Sequence, residues 1–561
     1  MSLQKHRSRL WGILAAALMT SMLLPGQASA AKREAPADLI VTDAKVVTVD
    51  PQSRIAQALA VRDGRIIAVG DNAVIGKLAG AGTRRIDAGG RTLIPGLIDS
   101  HTHAIRAGLT YSNEVDWTTA RSIPEALQRL RERAAAVGPG QWIRVSPGWA
   151  EQQFAERRLP TLAEIEDAIP DNPGWIQLRY IAVLVSSKAR KELDIDEARL
   201  PPGFVVQRDA KGEATGWWTA GMQSLPTLFN KLPASTHGEA LAGTRQFFSV
   251  LNRYGITGFV DHGNGDVADY AALHELWRNK ELSVRVAYRI GNQGSDDVAA
   301  FERALASVPY RRGDDWVRFI GIGEGITKSM RDNPAPTRQV QDAFYDAIRW
   351  AAQKELSVSL HWIDSATVGP VLDLFERVNR EVTPIAPLRW SLEHLDNISP
   401  EVMARLVSLG VGWSTHLTTY YRGDDYISAR GVAAVSRQPP FVSALAAGVK
   451  VGIGTDANRA ATHNPFVDLQ WVLEGKSVRG TQLRTKDEIP SREQALRMLT
   501  IDAAWFGFAE KTRGSLEVGK LADFAILDRD FLSVPVEQIS QTLSLLTVVD
   551  GNVVHADDSF R

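Results

Sequence analysis

From Leu39 to Val69 the chain is written in short apolar, β-branched runs: Leu39-Ile40-Val41, Lys45 to Val49, Ala58 to Val61 and Arg65 to Val69. Branched side chains suit a pleated, half-buried surface, so each run reads as a strand. Arg62-Asp63-Gly64-Arg65 supplies a hairpin turn between the last two. The far end of the chain has the same style, in Leu521 to Leu527 and Leu546 to Val554. Neither end has enough apolar residues for a core of its own. The pattern predicts that residues 31–92 and 513–561 pack together as one small β-sandwich domain.

Between the ends the period changes. Leu93-Ile94-Pro95-Gly96-Leu97-Ile98 opens the middle, and seven further strand-like runs follow. They are Ile256 to Asp261, Leu282 to Tyr288, Trp316 to Ile322, Leu356 to Leu360, Leu388 to Leu392, Gly410 to Ser414 and Val449 to Gly454. Helical periodicity separates most of them. Ala343 to Lys354 is one such stretch, and Pro400 to Leu406 is another, with Ser399 as its N-cap. Alternating strands and helices, eight strands in all, predict an α/β fold with a (β/α)8 TIM barrel over residues 93–512. The stretch from His103 to Ile256 is too long for a simple connection. It contains a strong helix, Ile123 to Val137, and a portion rich in Trp, Pro and Gly. It reads as a large insertion after the first strand, residues 110–235, placed over the active-site mouth. Trp142, Trp149, Trp175, Trp217 and Trp218 fall in it; they can line an apolar pocket, although packing in a core is the commoner fate of any one of them.

Composition narrows the chemistry. The chain has 561 residues, 44% hydrophobic and 23% charged, with a net charge of −1. These are ordinary globular values and exclude an electrostatic case for nucleic acid or an anionic membrane surface. There is no cysteine, which removes disulfides, thiolate metal sites and cysteine nucleophiles together. Any metal must be held by His, Asp, Glu or a modified Lys, which favours zinc or a similar divalent ion. At the start, Lys5, His6, Arg7 and Arg9 precede an apolar stretch from Leu10 to Leu24, broken by Pro25-Gly26 and followed by Ala28-Ser29-Ala30. That is the layout of a secretory signal over residues 1–30, with cleavage after Ala30. The apolar stretch is shorter than the roughly 20 residues of a membrane span. An uncleaved anchor is the alternative. No twin arginine is present, so the general secretory route fits, with a periplasmic or secreted product that has no membrane attachment after cleavage.

The candidate chemistry lies where strands end. His101 and His103 leave the first strand on the same face, and two imidazoles side by side can ligate one metal ion. Glu324 follows Ile322-Gly323, His361 follows Leu360, His394 follows Leu392-Glu393, and Asp456 follows Gly454-Thr455. Any one of these could be a satisfied core or loop residue. Six at the ends of five strands are not packing, because clustered buried polar groups cost several kcal/mol unless paired or metal-bound. His262, His416 and His463 lie near the ends of the second, seventh and eighth strands, with Tyr420 shortly after the seventh. Each could contact substrate or support the ligands. Arg389, at a strand's start, reads as structural.

These motifs together resemble the amidohydrolase superfamily, and within it amidohydrolase family 3, the branch that includes N-substituted formamide deformylases. The resemblance runs from about Asp38 to Val554. Leu93 to His103 is similar to the family's opening PGxxDxHxH signature. Leu360-His361, Glu393-His394 and Gly454-Thr455-Asp456 match its later strand-end residues. Ala495-Leu496 through Thr500 to Ala504, then Gly514 to Asp523, match its closing stretch. The resemblance implies that His101, His103 and Asp456 hold one metal and His361 and His394 a second. Family members often bridge the two with a carboxylated lysine on the fourth strand. Here Glu324 takes that place, with Lys328 as the fallback. The family's histidine before an Asn-Ser pair in the insertion is absent; Tyr180 to Ser187 stands there instead.

The function implied is hydrolysis of an amide-type C–N bond in a small molecule by a metal-activated hydroxide, with Asp456 as general base and then general acid and one or two ions, zinc foremost, per chain. The same metals could act on an ester or lactone, or in an isomerisation, because the pocket selects the bond. An inactive, metal-free binding scaffold is the third reading. A homo-oligomer is compatible with the sequence, which does not name the substrate.

Overall fold

The computed structural model describes residues 35–222, 224–263, 267–292, 295–306, 308 and 313–560. The secretory signal expected over residues 1–30 lies outside them. Among the described residues, no helix is long and apolar enough to cross a membrane.

Eight parallel strands form the centre and bear out the α/β barrel: β1 (Leu97–Thr102), β2 (Ile256–Asp261), β3 (Arg285–Ile290), β4 (Val317–Ile322), β5 (Ser357–Trp362), β6 (Ser391–His394), β7 (Gly412–Thr415) and β8 (Val451–Ile453), paired in chain order. They read as apolar runs because helices cover the outer face and side chains fill the inner one. The ring closes where β8 returns to β1. The Asp456 amide donates to the His101 carbonyl at 2.8 Å, and the His103 amide donates to the Ala457 carbonyl at 3.0 Å. Gly454 permits that approach, since a Cβ there would stand 2.4 Å from the His101 nitrogen.

Local signals set several boundaries. The Ser399 hydroxyl accepts from the Val402 amide and starts the helix Pro400–Leu409, which ends at Gly410 with φ 65°. Ile123–Val137 is a helix over the span the pattern predicts. The helix expected from Ala343 begins earlier, at Arg338, because Thr337 caps it. β6 starts at Ser391 rather than Leu388; Leu388 ends a short 3-10 turn, and Arg389 takes a left-handed φ of 52°. The Arg389 guanidinium makes a two-pronged pair with Glu510, at 2.7 Å from each oxygen, a structural role.

Both chain ends build one sheet. Its order is Asn552–Ala556, Ser544–Val549, Phe524–Leu527, Thr92–Pro95, Lys45–Val47 and Ile55–Ala56. A second sheet, Arg65–Gly70, Ala58–Arg62, Ala37–Thr42 and Ala79–Asp87, shares an apolar core with it through Leu39, Val41, Leu59, Leu93, Phe524 and Val548. Arg285 at the start of β3 ties this unit to the barrel. Its guanidinium donates to both oxygens of Asp523, at 2.8 and 3.1 Å, and to Asp550 at 2.9 Å, while lying over the Trp316 ring. Arg285→Met leaves the Asp523 carboxylate buried and unpaired and is expected to lower unfolding free energy by about 3–5 kcal/mol. Denaturant melts check this; a loss under about 1 kcal/mol, the scale of an exposed pair, would show that the contact carries no weight.

The insertion carries its own six-stranded sheet, in the order Phe204–Arg208, Ala214–Ala220, Ala182–Val185, Gly174–Leu178, Ile143–Val145 and Glu114–Val115. Trp149 and Trp217 pack on one face with Trp117 and Phe154, and Trp175 and Trp218 on the other, with Trp142 partly buried against them. The tryptophans are core residues of the insertion.

Candidate metal centre

The end of β1 aims His101 and His103 into the barrel mouth. Asp99, two residues back on the same face, holds β1 to β8. Its carboxylate accepts from the His101 amide at 3.1 Å, the Thr455 amide at 3.0 Å and the Thr455 hydroxyl at 2.5 Å. Glu324 extends from the end of β4 into the middle of the group. One carboxylate oxygen lies 3.6 Å from His103 Nε2; the other lies 3.2 Å from His361 Nδ1, 3.2 Å from His394 Nε2 and 3.7 Å from His101 Nε2. Asp456 turns one oxygen to His101 and His103, at 3.6 and 3.3 Å, and the other to His416 Nε2 at 3.3 Å. Asp456 and His394 hold left-handed backbone angles of φ 51° and 72°, a rare state for residues with side chains.

Three sets of ligand atoms, each within 4.8 Å of one another, come from these residues: His101–His103–Glu324, His101–His394–Asp456 and Glu324–His361–His394. Burial raises the cost of a charge on Glu324 and Asp456, but the imidazoles around them outweigh it and hold both carboxyls well below the usual range. Burial and the neighbouring His361 bring His394 down to about 4, so it is neutral and able to ligate at neutral pH. Burial opposes a proton on His361 and Arg331 opposes it further, but Glu324 and Asp332 raise it overall.

The residues fit a metal. Glu393 sits against His101 Nδ1 at 2.8 Å, which leaves Nε2 facing Glu324 and Asp456. That Nε2 is buried without a hydrogen-bond partner. An enclosed lone pair between carboxylates is satisfied by a cation. A donor set of imidazole nitrogen and carboxylate oxygen suits zinc or a related divalent ion.

Other candidates fall elsewhere. His416 joins the group: its Nε2 contacts His394 Nδ1 and lies 3.1 Å from the Thr418 hydroxyl, and burial keeps it neutral, down to about 3. His262 does not reach the cavity. It stacks under His101 with ring centres 4.2 Å apart and is fixed by the Ser100 carbonyl at 2.8 Å and the Ser359 hydroxyl at 3.0 Å. His463 turns away, buried beside Phe247 and Tyr254. Tyr420 lines a separate cavity of about 110 Å³ with Tyr421 and Tyr254. These three are therefore not placed as substrate contacts. Lys328 borders the main cavity and belongs to none of the ligand sets.

Three neighbours are given no role by the sequence. Glu393 orients His101; only its place beside His394 marks it. Arg331 lies 3.1 Å from His361 Nδ1 and 3.6 Å from Glu324, while Asp332 faces His361 Nε2 at 3.0 Å. All three act across the fold rather than along a strand. Glu393→Gln keeps the volume but loses the charge behind His101, so metal affinity is expected to fall about 10–100-fold. Competition with a chromogenic chelator measures this; unchanged affinity would show that the contact does not tune the site.

Above the group lies a cavity of about 820 Å³. The insertion supplies Gln177, Tyr180, Met222 and Phe229 to its wall, and His103, Glu324, His361 and Asp456 border it.

The family model described as amidohydrolase family matches residues 84–555. The chain is 26% identical over 549 residues to the N-substituted formamide deformylase of Arthrobacter pascens, covering 92% of this chain and 97% of the relative. It is 23% identical to the putative amidohydrolase YtcJ of Bacillus subtilis, covering 89% and 96%. Among solved structures, an uncharacterized metal-dependent hydrolase from Pyrococcus horikoshii aligns with a TM-score of 0.64 at 21% identity, over 89% of this chain and 99% of that one.

Proposed function

The chain belongs to the amidohydrolase family, metal-dependent hydrolases of carbon–nitrogen bonds, and from that premise we propose that it cleaves the amide-type bond of a small molecule taken into the cavity above the histidines. The observation that carries this reading is the meeting of Glu324 and Asp456 with the imidazoles of His101, His103, His361 and His394 at the wall of an 820 Å³ cavity. His101, His103 and Asp456 would hold one divalent ion and His361 and His394 a second, with Glu324 shared. The donor chemistry supports zinc. Such an ion, when bound, acidifies water and draws electron density from a carbonyl.

Asp456 does the proton work. It is ionised at neutral pH and borders the cavity, so its carboxylate takes the proton from the attacking water and returns it to the departing nitrogen. His416, neutral and 3.3 Å from Asp456, fixes the carboxylate's orientation. Glu393 and the stacked His262 hold the His101 ring in place from behind. The basic-then-apolar leader with Ala28-Ser29-Ala30 supports export to the periplasm or beyond, with no membrane attachment after the cut.

Metal-reconstituted protein assayed on N-formyl, N-acyl-amino-acid, cyclic-imide and ester substrates tests the reading. Turnover of a C–N substrate above the matched ester is expected. Turnover of esters alone would move the reading to the ester and lactone class.

A further inference from the structure

Two arginines follow the candidate ligands at the same interval: Arg106 comes three residues after His103, and Arg459 three after Asp456. Both line the main cavity. Neither guanidinium has a hydrogen bond or a carboxylate within ion-pair distance among the described residues; Arg459 lies over the Phe229 ring at 3.8 Å, and the buried Asp261, which accepts from the Ile105 amide at 3.0 Å, acts on Arg106 only at longer range. Several other arginines here are engaged. Arg285 pairs with Asp523, Arg389 with Glu510, and Arg484 donates to backbone carbonyls. Acids near the two arginines are already committed. Glu114 accepts from Thr110 at 2.7 Å and Asn458 at 3.4 Å, Glu324 and Asp456 face the imidazoles, and Asp269 has interactions of its own.

A partly buried guanidinium without an anion is costly. Two on one wall repel each other: burial, with Arg106 next, brings Arg459 down to about 10. The Phe229 ring lies 3.8 Å from the Arg459 guanidinium carbon, and a guanidinium can take a carboxylate through parallel N–H donors. Met222, Leu225 and Phe229 supply an apolar surface to the same cavity.

We propose that Arg106 and Arg459 form an anion subsite, so that the substrate is an N-acyl compound with a carboxylate on its amine side and an apolar body. This rests on the hydrolase reading and narrows its substrate class. The carboxylate docks on the two guanidiniums, the apolar part lies along Phe229 and Met222, and the acyl carbon reaches the metal ligands.

The test uses matched pairs on metal-loaded protein. N-formylphenylalanine and N-formylphenethylamine differ only in the carboxylate. The ratio of their kcat/KM values is expected to favour the acid, and to fall about 10–100-fold in Arg106→Gln/Arg459→Gln, the size of a lost charge-assisted contact. An equal ratio in both proteins overturns the subsite. Calorimetric binding of 3-phenylpropanoate and 3-phenylpropanamide gives a readout that needs no turnover. The acid should lose about 10-fold or more in affinity in the double variant while the amide does not. Acid affinity equal in both proteins, as capture by the metal alone would give, contradicts the subsite. Binding that depends on the arginines without turnover of either formyl compound leaves the subsite standing and overturns the hydrolase reading.

Discussion

Asp456→Asn is expected to lower kcat/KM by about 10²–10⁴-fold, the range for loss of a positioned proton-transfer group, and His361→Ala to fall at least as far. Asparagine keeps the shape of Asp456 but cannot accept a proton. It also removes the negative charge facing His101 and His103 at 3.6 and 3.3 Å, so the metal side of the site weakens with the proton-transfer side. His361 lies 3.2 Å from Glu324 and contributes through its Nδ1. Its loss removes one imidazole and frees Arg331, 3.1 Å from the same nitrogen, to move onto Glu324 at the group's centre. The two variants separate by rescue. Excess zinc should restore part of the activity of His361→Ala and little of Asp456→Asn. Hydrolysis that survives both substitutions at wild-type rates would contradict the assigned roles.

Stripping metal with a chelator is expected to abolish turnover and lower stability. The two carboxylates, with Asp332, offset part of the charge of the four imidazoles that face them. These residues would hold a divalent ion in the folded state alone, since the site is assembled only by folding. At free metal 100- to 1,000-fold above Kd this adds about 2.7–4.1 kcal/mol to folding stability. The apparent Tm should therefore rise on metal addition, and Glu324→Gln, which loses the charge shared by the two sides, should show a smaller rise. A Tm that does not respond to metal in wild-type protein would favour the inert-scaffold alternative.

The barrel was legible because its strands are apolar runs bounded by helical periods, and period survives without knowledge of tertiary contacts. The boundaries shifted where a cap or a left-handed residue intervenes, as at Thr337 and Arg389. Strand-end position found the side chains that the fold brings together, because the C-terminal ends of β1, β4, β5, β6 and β8 open on one mouth. It could not give ring direction. His262 follows β2 in the same manner but folds under His101, and His463 follows β8 but turns to Phe247 and Tyr254. Arg331 and Asp332 were silent, and Glu393 was seen only as the neighbour of His394, because each gains its role from a partner distant in sequence.

Anomalous diffraction at the zinc edge, on crystals of reconstituted protein, tests the central claim most directly. The account predicts one or two peaks enclosed by His101, His103, Glu324, His361, His394 and Asp456. No peak there, or one ligated by other residues, would contradict it.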